Sequence, residues 1–278
     1  MNPAPVRTRL DALESVLGPL ERELLELQQG TLETSTKSSA VDFVTEADLL
    51  AEKWLVCFIR ERFPDDSILS EEGTDHAAGK RAGEGFEWIL DPIDGTTNFA
   101  NRMPIWAISA GLRRSGRLVG GLVSGPGLGL RYRAIRGEGA SCNGRPIRVN
   151  DKTSLAEGLV VTGFPYDRAK RAAPLSRAVE AVLPKVGGLR RLGAAALDFC
   201  FLADGRMSGY YEMGLKPWDF AAGSLIAGEA GAVLTDFEGA PLDIFTSRGV
   251  VAANPQLHPA LLALVAAPMR EAAGIDAS

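Results

Sequence analysis

Two aspartates three residues apart carry the densest chemical signal of the chain, in the run Trp88-Ile89-Leu90-Asp91-Pro92-Ile93-Asp94-Gly95-Thr96-Thr97-Asn98-Phe99. The apolar approach reads as a strand that delivers Asp91 to its exposed end, Pro92 fixes a turn, and Asp94 stands where a helix would begin. Carboxylates converging from such a turn, with a backbone carbonyl beside them, suit a hard divalent cation such as Mg²⁺, which takes oxygen ligands. The amides of Gly95, Thr96 and Thr97 would open the next helix as unsatisfied donors, a seat for phosphate oxygens. Metal and phosphate chemistry thus meet in one loop. A plainer reading competes, in which Asp94 caps a helix and Asp91 ends a strand, as a short D-P-x-D-G turn does by itself. The apolar approach and the Thr-Thr-Asn continuation favour the chemical reading.

Other chemistries find few residues. His76 and His258 are the only histidines, and Cys57, Cys142 and Cys200 are far apart and outside any CxxC pattern, so they read as reduced, mostly buried residues. The charge sum is −5, with neither sign gathered into a long block, which disfavours a dedicated nucleic-acid or anionic-membrane binder. With 46% hydrophobic and 23% charged residues, the composition is that of a globular chain rather than a disordered or disulfide-stapled one. Arg7, Arg9, Asp11 and Glu14 interrupt the N-terminus, so it has no signal-peptide core, and no apolar run reaches membrane-spanning length. A cytoplasmic protein is the expectation.

The elements that must position the acids follow from periodicity. Leu10, Leu13, Leu17, Leu20, Leu24 and Leu27 predict one amphipathic helix from about Pro5 to Gln29, kinked or divided at Pro19. Thr45 and Asp48 have the spacing of an N-cap box for a second helix that runs to about Phe63. Ile68 to Glu72 reads as a short strand ending in acid, and Ile105–Leu112 with Leu118–Val123 as a hairpin turning near Ser115-Gly116. Arg131–Ile135 continues the strands, followed by a turn over Gly137–Gly144. Beyond residue 150 strand and helix alternate. Leu159–Thr162, Tyr210–Met213 and Val250–Ala253 read as strands, and Ala172–Leu183, Ala194–Ala203, Asp219–Glu229 and Pro259–Arg270 as helices. No repeat or linker marks a break, so residues 1–278 are expected to form one domain with a strand-rich part to about 150 and an α/β part from 151.

The run from Trp88 to Asn101 resembles the first signature of the inositol monophosphatase family of Mg²⁺-dependent, lithium-sensitive phosphatases, and Trp218-Asp219-Phe220-Ala221-Ala222-Gly223 through Gly231 resembles the second. The likeness extends to Lys37-Ser38-Ser39, Val41 to Thr45, Ser70-Glu71-Glu72, Gly137 to Gly144 and Tyr211-Glu212-Met213-Gly214, so it covers most of the chain from Lys37 to Asn254. It implies a layered αβαβα sandwich, with the larger, mostly antiparallel sheet in the N-terminal part, and a homodimer. It also implies two or three Mg²⁺ ions. Glu71, Asp91 and the Ile93 carbonyl would hold one, and Asp91, Asp94 and Asp219 a second. In two-metal chemistry one ion activates water and the other stabilises the leaving oxygen. The Thr96 hydroxyl would pair with Asp48 and, with Glu71, orient the attacking water; for Asp48 a purely capping role competes.

By the same resemblance Gly95, Thr96 and Asp219 contact the substrate, Gly193-Ala194-Ala195 lines its ring, and Glu212 reads ring hydroxyls. Ala194 stands where many members carry Ser or Thr, and one lost hydroxyl contact loosens discrimination among polyol phosphates. Lys37 either neutralises phosphate or is a solvated loop lysine, and Trp218 is a wall that sets Asp219. Glu72 reads as a solvated neighbour, and Asp198 and Asp236 as structural or surface acids. The expected activity is hydrolysis of a small phosphate monoester, myo-inositol 1-phosphate first. Histidinol phosphate, fructose 1,6-bisphosphate and adenosine 3′,5′-bisphosphate are alternatives. A silent interaction or RNA-associated module is the reading from another class, disfavoured because Glu71, Asp91, Asp94 and Asp219 are all present.

Overall fold

A computed structural model of the protein describes residues 3–30, 34–36, 43–73 and 85–275. The chain opens with α1 (Ala4–Gln29), a two-stranded ribbon of β1 (Thr34–Thr36) and β2 (Phe43–Thr45), and α2 (Glu46–Arg62). Seven strands then make one sheet in simple chain order: β3 (Ser67–Ser70), β4 (Phe86–Asp94), β5 (Ala107–Arg114), β6 (Arg117–Gly125), β7 (Leu130–Ile135), β8 (Gly139–Cys142) and β9 (Arg145–Ile147). Only the β3–β4 pair is parallel. The short α3 (Thr96–Ala100) leaves β4. The second half supplies β10 (Leu159–Thr162), α4 (Ala172–Val182), β11 (Gly188–Arg190), α5 (Ala195–Ala203), β12 (Gly209–Met213), α6 (Pro217–Glu229), β13 (Val233–Thr235), β14 (Gly249–Ala253) and α7 (His258–Ala273). Its five strands pair in the order β11-β10-β12-β14-β13.

Side-chain alternation stacks these elements into five layers. On β4, Trp88 and Leu90 face the leucine seam of α1 and the apolar face of α2, whereas Ile89 joins α5 and α6 on the other side. On the smaller sheet Val161, Tyr210, Val250 and Ala252 also face α5 and α6, while Val160, Tyr211, Val251 and Ala253 face α4 and α7. The helix pair α5 and α6 is therefore the shared middle layer, and both sheets bury apolar area against it. No helix among the described residues is long and apolar enough to cross a membrane.

Four local expectations are corrected. Helix α1 runs through Pro19 without division, because Leu10, Leu13, Leu17, Leu20 and Leu24 are all fully buried along one continuous seam. Residues 137–144 are not one turn; they contain β8, paired with β7. Asp91-Pro92 is not a turn at a strand end, because β4 continues to Asp94. Of the cysteines only Cys200 is buried, Cys142 being half-buried and Cys57 exposed, and all three are free.

Glycine sets how near α6 can come to the large sheet. Gly111 and Gly121 are cross-strand partners on β5 and β6. A Cβ on Gly111 would stand 2.5 Å from the Ala221 Cβ, and one on Gly121 would stand 2.8 Å from the Ala222 carbonyl oxygen. Gly121→Ala should thus cost about 1–3 kcal/mol of stability through overpacking against backbone. It should also shift Asp219, which α6 carries. Equal denaturation midpoints for the variant and the wild type would refute this packing account.

Candidate active site

The first acids owe their placement to an irregularity in β4. In an ordinary strand residues three apart point to opposite faces. Between Asp91, which pairs with Ser109, and Asp94, which pairs with Ala107, the register shifts: three steps on β4 answer two on β5. This bulge adds one residue and reverses the alternation, so both carboxylates emerge on one side. Pro92 is tolerated there because the ladder is already interrupted. Gly95 follows with φ +90° as the residue before α3, and a Cβ there would lie 3.1 Å from both the Ala194 Cβ and the Ile105 carbonyl oxygen. Only glycine suits that conformation and that gap.

Asp94 does not cap α3. Its two carboxylate oxygens accept the amides of Ala195 and Ala196, at 3.1 and 2.8 Å, from the first turn of α5. Asp219 lies in the first turn of α6 and accepts the Lys216 amide at 2.7 Å. One oxygen from each of Asp91, Asp94 and Asp219 falls within 4.8 Å of the others. Glu71, just past β3, lines the same pocket. Thr96 Oγ1 lies 3.0 Å from Asp48 Oδ1 on α2 and 3.1 Å from the Ile93 carbonyl oxygen, so Asp48, buried at 1% exposure, faces the site rather than solvent.

The pocket measures about 430 Å³ and is lined by Glu71, Asp91, Ile93, Asp94, Gly95, Thr96, Gly193, Ala194, Ala195, Glu212 and Asp219. Every site residue expected from the sequence is therefore on its wall except Asp48, which reaches it through Thr96, and Lys37, which lies outside the described residues. Trp218 also lines it, half-buried beside Asp219.

Crowded acids resist ionisation. Burial first, then the charges of Glu71, Asp94, Asp219 and Asp48, hold the Asp91 carboxyl well above the usual range. Burial likewise raises Asp94 to about 7, against the lowering pull of the Ala196 and Ala195 amides. Asp219 is raised by burial, then by Asp94 and Glu71. Asp91 Oδ1 is buried without a hydrogen-bond partner among the described residues. Hard oxygen donors, mutual repulsion and an unpartnered carboxylate oxygen fit a divalent cation such as Mg²⁺, whose charge would relieve all three.

Parts of the site carry no signal in the sequence. The backbone amides of Ala195 and Ala196 hold Asp94, and an amide carries no side-chain signal. Phe164, Tyr166 and Arg191, which the sequence did not single out, line the wall from loops. Asp198 is not a surface acid: it is fully buried on α5, and neither carboxylate oxygen has a partner among the described residues. Burial, then the charges of Glu212 and Asp94, raise its carboxyl well above the usual range. Its signal was legible, as the one charge inside the apolar run 194–203. Asp236 is structural, accepting the Glu238 and Ala240 amides in a turn.

Comparison with known proteins agrees with this geometry. The model of the inositol monophosphatase family matches residues 4–270. A putative Nus factor SuhB of Neisseria meningitidis serogroup B is 42% identical over 226 residues, 81% of this chain and 85% of that protein. Among solved structures, the extragenic suppressor protein suhB of Bartonella henselae superposes with a TM-score of 0.87 at 32% identity, covering 93% of this chain and 98% of that one. The IMPase of Thermotoga maritima gives 0.84 at 32% identity, covering 95% and 99%.

Proposed function

The chain belongs to the inositol monophosphatase family, and from that premise we propose that it is a Mg²⁺-dependent phosphomonoesterase hydrolysing myo-inositol 1-phosphate or a related polyol phosphate. The observation that carries the reading is the convergence of Asp91, Asp94 and Asp219 in a pocket that Glu212 also lines. Held by Glu71, Asp91, Asp94, Asp219 and the Ile93 carbonyl, Mg²⁺ would supply Lewis acidity toward phosphoryl and water oxygens. Asp48 accepts the Thr96 hydroxyl proton, so the threonine oxygen remains an acceptor that orients the attacking water. Glu71 takes the proton as water adds to phosphorus, the bond from phosphorus to the alcohol oxygen breaks, and that oxygen takes a proton from a solvent water on leaving, the hydroxide so formed recovering the proton held by Glu71. Gly95 and Thr96 seat phosphate oxygens, while Gly193, Ala194 and Ala195 flank the alcohol. Glu212 accepts from its hydroxyls.

The test is phosphate release with Mg²⁺ and with chelator across myo-inositol 1-phosphate, histidinol phosphate, fructose 1,6-bisphosphate and adenosine 3′,5′-bisphosphate, compared as kcat/KM. Inositol 1-phosphate is expected to lead, with chelator abolishing turnover; no Mg²⁺-dependent release from any of the four would sink the reading. Glu212→Ala should raise KM for inositol 1-phosphate about 10-fold or more, the cost of a lost hydrogen bond to a charged group, and leave p-nitrophenyl phosphate almost untouched.

The name of the Neisseria relative favours a second reading, a role as a Nus factor. Asp91→Asn separates the two: a Nus role independent of turnover survives that change, and one that needs phosphate release does not.

A further inference from the structure

Glu212 is not simply an acid at a strand end. Tyr210 and Glu212, two apart on β12, share the face turned toward α5. The Tyr210 hydroxyl donates to Glu212 Oε2 at 2.7 Å. Tyr210 is itself fully buried, and its ring meets Phe199 of α5 edge-on, with centroids 4.8 Å apart and planes at 84°. The donor is thereby fixed from behind by packing. On the other side, Gly163 follows β10, the parallel neighbour of β12. A Cβ on Gly163 would stand 1.9 Å from Glu212 Oε1 and 2.1 Å from its Cδ. The carboxylate therefore lies directly over a bare Cα, in space that any other residue would occupy.

We propose that Tyr210 and Gly163 form a clamp that aims the Glu212 carboxylate into the pocket, and so act as the positioning residues that give this site its selectivity for polyol phosphates. The inference rests on the reading of Glu212 as the acceptor for substrate hydroxyls. One lone pair of Oε2 is taken by Tyr210, and the remaining acceptor capacity of the carboxylate is left for vicinal hydroxyls of the alcohol. Neither clamp residue lines the pocket, so their effect passes through Glu212 alone. A substrate without hydroxyls gains nothing from the clamp, because it makes no use of Glu212. The clamp thus governs the choice of alcohol and leaves the phosphoryl step alone.

Two variants reach the clamp by different routes. Tyr210→Phe removes the donor while keeping the ring against Phe199. Gly163→Ala keeps the donor and pushes the carboxylate aside. Each should raise KM for myo-inositol 1-phosphate about 3- to 10-fold, the range for one positioning hydrogen bond, with kcat nearly unchanged. For p-nitrophenyl phosphate both parameters should stay at wild-type values, which also certifies the fold of each variant. If inositol 1-phosphate kinetics do not change in either variant, or if both substrates suffer equally, the clamp is refuted while the phosphatase reading stands. If the wild-type protein releases no phosphate from either substrate with Mg²⁺, the reading and the clamp fall together.

Discussion

Asp91→Asn is expected to abolish turnover while leaving the metal-free fold as stable as the wild type or more so. The two halves of this result share one cause. Asp91 is 2% exposed, sits among Glu71, Asp94, Asp219 and Asp48, and has a carboxylate oxygen with no hydrogen-bond partner among the described residues. Replacing it with the neutral amide of the same shape removes a charge that its neighbours oppose and breaks no hydrogen bond of Oδ1 among the described residues. Without metal the fold therefore loses nothing and sheds repulsion. With metal the site is short of one anionic oxygen, and a metal's several kcal/mol of charge stabilisation corresponds to about 1,000-fold or more in kcat/KM. Steady-state kinetics and thermal denaturation in chelator read the two halves separately. Near-normal turnover would overturn the site, and a destabilised metal-free variant would overturn the account of repulsion.

Mg²⁺ should stabilise the protein strongly at pH 8 and hardly at all at pH 5. Burial raises the folded Asp94 carboxyl to about 7 from an ordinary value of 3.8, and Asp91 and Asp219 move in the same direction. Between those limits the metal-free folded state binds protons that the unfolded chain has released. The stability of the metal-free protein therefore falls as pH rises from about 4 through about 7. Mg²⁺ competes with the same protons, so its affinity increases over that window. At a hundredfold excess over Kd the stabilisation is about 2.7 kcal/mol, an upshift in Tm of about 5 °C for a chain of this size. Thermal melts at the two pH values, with and without Mg²⁺, measure it, and Asp91→Asn should blunt the shift at pH 8. Equal shifts at pH 5 and pH 8 would show that these carboxyls do not hold the ion.

Much of this protein was legible before any coordinate. Apolar patterning placed α1, α2, β5, β6, α4, α5, β12, α6 and α7 within a few residues of their observed bounds, because outer elements such as α1 and α4 repeat their apolar residues with the period of the backbone and the middle-layer helices α5 and α6 are continuous apolar runs. The Asp91 to Asn98 string advertised an oxygen-rich site next to a phosphate seat, since these side chains have little other use so close together. Short pieces such as β11, β9 and β13 went unread: three residues carry no period, and only a neighbouring strand makes them strands.

Residue types and spacing were enough to single out Asp91 and Asp94 as an oxygen-rich pair, and the resemblance of further motifs to a known family added Glu71, Asp219, Asp48 and Glu212 as expectations. The tertiary structure alone decided how they meet. The one-residue bulge that turns Asp91 and Asp94 to one side depends on register against β5, and the grip on Asp94 comes from amides 101 and 102 positions away. The clamp on Glu212 likewise joins β12 to Gly163, which follows the neighbouring strand β10, and Asp198 becomes a buried acid only because two sheets close over α5. Register, burial and close approach belong to pairs of segments distant in the chain. A side chain's chemistry is written in its own residue, whereas its surroundings are written in its partners.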